Sequence, residues 1–428
     1  MIHSSHSKPH APGRFLGWAI LLSCSGLIAV AGRAATYFPP PDSAGGWRLA
    51  TGEAEVRDLA GMDLARLEQA WAYTQRCSQN AGLLVVRHGY LVFEQYIGRV
   101  SRNTNPNLAS VGKAYTAIAC GIMLHEFHDK IPAGLDTKVF TPEFLPEAFN
   151  AEGKLDDARR ADITLGQLLC MTSGYNGDGD APKGVVHGVM SVLKPSPNQD
   201  IRDLDGSSLR CAMWTTPGGG FCYSSPAPHI ASMVLRRVTG MELDQYIDER
   251  LARPMGWGAW AYARHLDGFT EPHANGAGGI AVHATDALRF GYCLLQGGRW
   301  GERQLVPADY VALCNRMSPY NPHCPYTLMF EQNSDGHLIG APRDAYWKSG
   351  AGGFALMIVP SLDLVIYKIG GANWQYDPAQ TTVPQPEPSH ERDDWKPIPA
   401  TIFNEGSRVG DDGIRRVLEM VCGAVRLD

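Results

Sequence analysis

The 428-residue sequence has no run of lysine and arginine and no marked excess of one charge. Its formal net charge is −6, with 38 basic and 44 acidic residues along the chain. Recognition of nucleic acid needs a concentrated basic patch, so the composition argues against a nucleic-acid partner. With 44% hydrophobic and 19% charged residues, the chain has the composition of a well-packed globular protein.

Metal-binding and redox motifs are also missing from the sequence. It contains no C-x-x-C and no H-E-x-x-H pattern, which are spacings typical of redox centres and zinc sites. The segment HEFHD at 125–129 has metal-ligating residue types, but it follows an apolar stretch and is better interpreted as a polar helix end. We therefore expect no metal and no cofactor.

The N-terminus differs from the rest of the chain. After Lys8 and Arg14 comes an apolar run, FLGWAILLSCSGLIAVAG, and then a proline-rich segment. A positive start, an apolar centre and small residues such as Ala29 and Ala31 are typical of an export signal. We predict that residues 1–35 are a signal peptide that is removed, with an N-terminal membrane anchor as the alternative. The protein is then periplasmic or secreted, and any membrane association is through this segment.

Export would place nine of the ten cysteines in an oxidising compartment. One pair flanks a glycine-rich turn and another flanks a loop rich in proline and asparagine. These pairs are the candidate disulfides Cys211–Cys222 and Cys314–Cys324. Two further cysteines, Cys120 and Cys170, lie in apolar helical stretches and are expected to be buried thiols.

The pattern of apolar residues predicts helices and two hairpins. MDLARLEQAWAYTQ repeats apolar residues at helical spacing, with Asp63 near its start. GLLVVRHGYLVFEQYIG gives two β-rich runs joined at His88-Gly89. YWKSGAGGFALMIVPSLDLVIYKIGG predicts a second hairpin, which turns at Pro360-Ser361.

The order of these elements predicts the fold class. Strands from both ends of the sequence have to join one antiparallel sheet, with helices packed on it. We expect an α+β fold with three α/β/α layers, formed discontinuously by residues 60–125 and 281–428. Residues 126–280 are expected to form a mostly helical lobe beside it. Active sites tend to lie at such junctions.

Ser110 and Lys113 are the first candidate catalytic pair, in the stretch ASVGKAYTAIACGIMLHE. Residues i and i+3 share one face of a helix, with Cβ atoms about 5–6 Å apart. A serine hydroxyl is a poor nucleophile until a base takes its proton, and a buried lysine can be that base. The helix start also directs N–H groups toward developing negative charge. A solvated helix start is the alternative interpretation of so short a motif.

Two further motifs place polar groups beside glycines. Tyr223, in PGGGFCYSSPAPHIAS, can transfer a proton if a neighbouring cation favours its phenolate. Lys348, in WKSGAGG, can supply positive charge. Its glycines let a substrate lie against the backbone, with the N–H groups of Ala351 and Ser110 as an oxyanion hole. The alternatives are a half-buried aromatic side chain and a solvated lysine.

Taken in order, the three motifs resemble the signature of the penicillin-recognising serine hydrolases. S-V-G-K is followed by Y-S-S about 110 residues later, and K-S-G comes about 125 residues after that. The spacing looks like that of the branch containing class C β-lactamases, D-alanyl carboxypeptidases and esterases. Connecting segments such as ITLGQLLCMTSGY and GGIAVHATDALRFGYCLL also look like this branch. The similarity runs from about residue 65 to the C-terminus. GAGGFALMIVPSLDLVIY is similar to the 6-aminohexanoate-oligomer hydrolase subgroup.

The resemblance implies a β-lactamase/transpeptidase-like fold, no cofactor, and a role for each motif. The implied roles are nucleophile for Ser110, base partner for Lys113, proton shuttle for Tyr223, and third motif for Lys348, Ser349 and Gly350. Ser225 stands where the class C enzymes carry an asparagine that contacts the substrate amide. Ser349 replaces the usual threonine and keeps the hydroxyl.

The function we expect is hydrolysis of a small ester, amide or peptide-like substrate through an acyl-enzyme on Ser110. A β-lactamase or D-Ala-D-Ala carboxypeptidase is the alternative enzyme, and Ser225 argues against it. A catalytically silent, penicillin-binding-like protein is an alternative of another class, which would not need a lysine beside the serine. A Ser-His-Asp hydrolase using His229 or His283 is disfavoured because no G-x-S-x-G elbow is present. The substrate depends on loops such as the one around Lys183.

Overall fold

The computed structural model describes residues 37–177, 185–186, 189–190, 200–266, 268–380, 383, 386, 392, 394–396 and 413–426. The predicted signal segment 1–35 and the loop residues around Lys183 lie outside this part of the chain. Among the described residues, no helix combines the length and the apolar character that crossing a membrane requires.

An eight-stranded sheet is the centre of the described structure. In spatial order its strands are β1 (Arg48–Leu49), β3 (Tyr90–Ile97), β2 (Ala81–Arg87), β16 (Leu364–Ile369), β15 (Phe354–Val359), β14 (Tyr346–Gly350), β13 (Phe330–Gln332) and β12 (Tyr326–Thr327). Strands from both ends of the sequence join where β2 pairs with β16, as predicted. One pairing differs from the expected antiparallel pattern, because the short strand β1 runs parallel to β3.

The described residues also form four two-stranded ribbons outside the main sheet. They are β4 (Val185–Val186) with β5 (Val189–Met190), β6 (Ala261–Tyr262) with β9 (Ile280–Ala281), β7 (His265–Leu266) with β8 (Phe269–Thr270), and β10 (Arg299–Trp300) with β11 (Arg303–Gln304).

The two predicted hairpins are both present. His88 and Gly89 have φ of +51° and +75°, which fits the tight turn between β2 and β3. The β15–β16 connection is the 3₁₀ turn Pro360–Leu362. The prediction of the second hairpin was incomplete. WKSG forms the separate strand β14, and the next glycines make a further turn before β15.

Helices cover both faces of the sheet and form most of the region beside it. The α-helices are α1 (Gly52–Ala60), α2 (Leu64–Cys77), α3 (Gly112–Glu126), α4 (Leu165–Leu169), α5 (Leu204–Leu209), α6 (Pro226–Thr239), α7 (Leu243–Ile247), α8 (Arg253–Met255), α9 (Ala284–Leu295), α10 (Ala308–Val311) and α11 (Ile414–Cys422). A π-helical turn, Asp248–Ala252, joins α7 to α8. The predicted start of α2 is confirmed, since the Asp63 side chain accepts from Arg66 N at 3.2 Å.

The buried side chains form two clusters, one on each face of the sheet. Because side chains alternate along a strand, Leu83 and Val85 of β2 join the cluster under α1, α2 and α11, while Leu84 and Val86 join the cluster under α3 and α9. This arrangement is the predicted three-layer α/β/α architecture. The boundaries of the helical lobe at 126 and 280 stay a prediction.

Neither candidate disulfide is formed in the structure, where all nine cysteines from Cys77 to Cys422 are thiols. The Cys211 and Cys314 sulfurs contact backbone carbonyl oxygens, Ala212 O at 3.8 Å and Tyr310 O at 3.7 Å. Two other thiols behave as predicted: burial raises the pKa of Cys120 to about 12 and of Cys170 to about 11.

An ion-pair network ties the start of the described chain to α9. Arg289 is 0% exposed. Its guanidinium donates to Asp286 Oδ1 at 2.7 Å, to Asp42 Oδ1 at 2.5 Å and to Pro40 O at 2.6 Å. Because Asp286 is also buried, the pair cannot be broken without leaving a carboxylate uncompensated.

We predict that Arg289→Met destabilises the protein by about 3–5 kcal/mol, because it leaves the Asp286 carboxylate buried without its cation. Urea unfolding would measure the change in the free energy of unfolding. Arg303→Met, at an exposed position of β11, is the control and should change little. An equal decrease in the free energy of unfolding for the two variants would contradict the predicted role of the network.

Candidate active site

Ser110 lies on the 3₁₀ turn Ala109–Val111, which runs directly into α3. Ala109 has φ of +46°, a left-handed conformation that is uncommon for a residue other than glycine. Two hydrogen bonds hold it there: Ala109 N donates to Asn107 Oδ1 at 3.0 Å, and Ala109 O accepts from Gly279 N at 3.2 Å. The backbone before the serine is therefore fixed by its surroundings in a strained conformation.

Lys113 points into the site from the first turn of α3, which is buried on all sides from Gly112 to Met123. The lysine is only 1% exposed. Its Nζ donates to Ser110 Oγ at 3.0 Å, to Ser225 Oγ at 3.0 Å and to Ala277 O at 2.7 Å. A neutral amine fits the same geometry, because it can still donate to Ala277 O while accepting the Ser110 hydroxyl proton.

The Tyr223 ring lies close to two lysines. Its ring centre is 5.1 Å from Lys113 Nζ and 4.9 Å from Lys348 Nζ, and the ring itself is half-buried. The ring of Tyr326 meets it edge-on, with centres 6.3 Å apart. A positively charged side chain beside a phenol favours the ionised form of that phenol. The three sequence motifs thus meet at one place in the fold.

The third motif is held by a residue that the sequence analysis missed, Glu331 on β13. This carboxylate is 7% exposed. Its Oε1 lies 3.6 Å from Lys348 Nζ and accepts from Ser349 Oγ, while Oε2 accepts from Trp347 Nε1 at 3.1 Å. The available signal was an acidic residue directly after the apolar residues LMF, but its partners were not evident from sequence spacing.

Glycines bring β14 and the Ser110 turn into contact. A Cβ atom added to Gly350 would lie 2.4 Å from Leu108 O and 3.2 Å from Val111 N. Only glycine allows so close an approach of two backbones. It sets the end of β14 against the residues on both sides of Ser110, so Ala351 follows directly at the site.

The remaining candidate residues have structural contacts of their own. His229 is 0% exposed, and its Nε2 lies 2.8 Å from Asp205 Oδ1 while Gly276 N donates to Nδ1 at 3.3 Å. Burial lowers the pKa of His229, against the opposing effect of Asp205. His283 lies 3.6 Å from the Asp286 carboxylate. The described residues contain no group of metal-ligating side chains.

The model of the beta-lactamase family matches residues 65–369 of the sequence. The chain belongs to the beta-lactamase family. A comparison with curated protein sequences finds no match.

Solved structures show the same fold. A protein of Bacteroides dorei named as a beta-lactamase has a TM-score of 0.55 and 19% identity, over 72% of this chain and 90% of its own. A protein of Bacillus anthracis named as a 6-aminohexanoate-dimer hydrolase has a TM-score of 0.54 and 18% identity, over 78% and 84%. EstCE1, described as a hydrolase with promiscuous acyltransferase activity, gives 0.53 and 18%, over 72% and 93%. These likenesses confirm the β-lactamase/transpeptidase-like fold.

We predict that Lys113→Met slows labelling of the protein by a fluorophosphonate by about 100-fold or more, because the serine loses its proton acceptor. Methionine keeps most of the length of the buried side chain, so the site should stay packed. Labelling rates would be measured by intact-protein mass spectrometry. Lys138→Met, which removes an exposed lysine paired with Asp162, is the control. Equal labelling rates in the two variants would contradict the assignment of Lys113 as base.

Proposed function

We propose that the protein is a serine hydrolase that cleaves an ester or a linear amide through an acyl-enzyme on Ser110. The observation that carries this proposal is the 3.0 Å contact between Lys113 Nζ and Ser110 Oγ in a buried site. Burial disfavours the charged form of a lysine, so the amine can take the hydroxyl proton as Oγ attacks the substrate carbonyl.

The proton has to reach the leaving group when the tetrahedral intermediate collapses. Tyr223 is the proposed carrier, because its ring centre lies 5.1 Å from Lys113 Nζ and 4.9 Å from Lys348 Nζ. Lys348 is 0% exposed and is paired with Glu331. In this proposal its positive charge stabilises the Tyr223 phenolate after the proton has moved.

The negative charge on the carbonyl oxygen needs hydrogen-bond donors. The proposed donors are the backbone N–H groups of Ser110 and Ala351, with the N-terminal end of α3 adding its dipole. The close approach of Gly350 to Leu108 and Val111 supports this arrangement, since it sets Ala351 against the Ser110 turn. Water would then attack the acyl-enzyme and release the acid.

Ser225 supports an ester or a linear amide as substrate. Its hydroxyl accepts a hydrogen bond from Lys113 Nζ at 3.0 Å. The serine side chain is shorter than the asparagine that class C β-lactamases carry at this position, and it lacks the amide group that contacts their substrate. Solved structures with the same fold include proteins named as a 6-aminohexanoate-dimer hydrolase and as a hydrolase with acyltransferase activity. Residues 1–35 are proposed to direct export, so the substrate would be met outside the cytoplasm.

The proposal is tested by hydrolysis of three substrates: a p-nitrophenyl ester, a linear aminohexanoate amide and a penicillin. We predict turnover of the ester or the amide, and its loss in Ser110→Ala, since the nucleophile is removed. Ser361→Ala, at an exposed position, is the matched control and should keep full activity. Turnover of the penicillin alone would favour the β-lactamase alternative, and retained ester hydrolysis in Ser110→Ala would exclude Ser110 as nucleophile.

We predict that Tyr223→Phe lowers amide hydrolysis by about 100-fold or more, because an amine leaving group needs a proton. p-Nitrophenolate leaves without one, so hydrolysis of the ester should fall much less. The ratio of kcat values for the two substrates measures this difference, with Tyr90→Phe on β3 as control. An equal fall for both substrates, or no fall for the amide, would show that the proton follows another route.

A further inference from the structure

Ala351–Gly353 form the turn between β14 and β15. Each of the three carbonyl oxygens of this turn accepts a hydrogen bond from a later segment of the chain. Gln375 Nε2 donates to Ala351 O at 3.2 Å, Gly371 N donates to Gly352 O at 2.8 Å, and Lys368 Nζ donates to Gly353 O at 2.6 Å. The donors all lie between residues 368 and 375. We call these residues the clamp segment.

Lys368 is the first unusual member of the clamp segment. It lies near the end of β16, where its Cα partners are Leu83 and Ala355, and it is 0% exposed. Removing an ammonium group from water is costly unless it is hydrogen-bonded or paired. The bond to Gly353 O gives this buried group a charge-assisted interaction with the turn. Lys368 has no part in the proton transfers proposed above.

Gln375 connects the same turn to the loop before the serine. The Gln375 Nε2 that donates to Ala351 O also donates to Asn107 O at 3.0 Å. The backbone carbonyl of Gln375 accepts from Asn107 N at 2.8 Å. Its Oε1 accepts from Ala372 N at 3.2 Å. Because Asn107 Oδ1 in turn holds Ala109 N, one buried glutamine side chain fixes both backbones that flank the proposed oxyanion hole.

The contacts between the turn and the clamp segment leave no room for a side chain at two of their glycines. Gly352 and Gly353 have φ of +94° and +92°. A Cβ atom on Gly352 would lie 2.5 Å from Gln375 Oε1, and one on Gly370 would lie 2.2 Å from Gly352 O. The clamp segment and the turn therefore pack backbone against backbone.

We propose that Lys368 and Gln375 are positioning residues, which hold the turn so that the Ala351 N–H is aligned with that of Ser110 before substrate arrives. Their hydrogen bonds are made to carbonyl oxygens of the turn, so they do not use the Ala351 N–H. Donors that are already oriented stabilise a developing oxyanion without reorganisation. This inference rests on the proposed function, because it concerns the oxyanion hole of that reaction.

The test compares Gln375→Met and Lys368→Met with the parent protein. Each variant keeps a long side chain and removes the donor to the turn. We expect kcat for the p-nitrophenyl ester to fall about 10- to 100-fold with little change in KM, since the lost interaction acts on the transition state. Affinity for a boronic acid, which forms a tetrahedral adduct on the serine, should fall by a similar factor.

Gln332→Met is the matched control. Gln332 is also buried, and its Nε2 also donates to two backbone carbonyls, Cys314 O at 3.3 Å and Arg316 O at 2.9 Å. Neither carbonyl belongs to the site. This variant should lose stability like Gln375→Met but keep kcat and boronic-acid affinity close to those of the parent.

A second variant covers the case in which Lys368→Met does not fold. Gln375→Glu keeps the acceptor for Ala372 N but places a carboxylate against the carbonyls of Asn107 and Ala351. Its activity relative to the parent should rise as the pH falls, because protonation of the carboxyl restores a donor. A purely structural role would restore only the folded fraction as the pH falls, and kcat per folded molecule would not recover.

The outcomes separate the two proposals. One outcome would overturn the positioning role alone. In it the parent is active, and Gln375→Met keeps kcat and boronic-acid affinity or loses no more of either than Gln332→Met does. A parent that neither hydrolyses the ester nor binds the boronic acid would overturn the proposed function and this inference with it.

Discussion

The buried amino group of Lys113 is the interaction on which the rest of the site depends. Its three hydrogen bonds reach the Ser110 turn, the residue before α6 and the loop before β9. A lysine side chain is stable at so buried a position only when these hydrogen-bond partners are held in place. The surrounding helices and loops therefore have to deliver a serine hydroxyl, a second hydroxyl and a carbonyl to one point.

The fold meets this requirement by packing backbones closely. Gly112 lies against Gly278, where an added Cβ atom would come within 2.8 Å of Cα, and Gly350 lies against Leu108. β14 is in turn bonded along its length to β15, and β15 to β16. The position of the third motif relative to Ser110 is thus set by the sheet. The strained φ of Ala109 is maintained by its hydrogen bonds with Asn107 and Gly279.

Local features of this structure could be predicted from the sequence. The Ser110–Lys113 contact follows from helical spacing, the α2 start follows from Asp63, and the first hairpin follows from His88-Gly89. In each case the interacting residues are neighbours in the chain. The order and spacing of the motifs also indicated the family correctly, because they are specific even without structural information.

The features that were missed depend on distant residues. Gln375 and Asn107 are 268 residues apart, and nothing in either segment indicates the other. Glu331 is recognisable only once β13 is known to lie beside β14. The disulfide prediction was wrong for a different reason, since flanking a turn does not decide where two sulfur atoms point. Gly352 and Gly353 were included in the predicted second hairpin, and their positive φ values, which place them in a turn before β15, were not evident from the sequence.

The most direct test of the central claim is to map the covalent intermediate. The protein would be mixed briefly with a p-nitrophenyl ester, quenched in acid and digested, and the acylated peptide identified by tandem mass spectrometry. We predict one acyl group on the peptide that contains Ser110, absent from Ser110→Ala. An acyl group on another residue, or turnover with no trapped intermediate on Ser110, would contradict a Ser110 acyl-enzyme activated by Lys113.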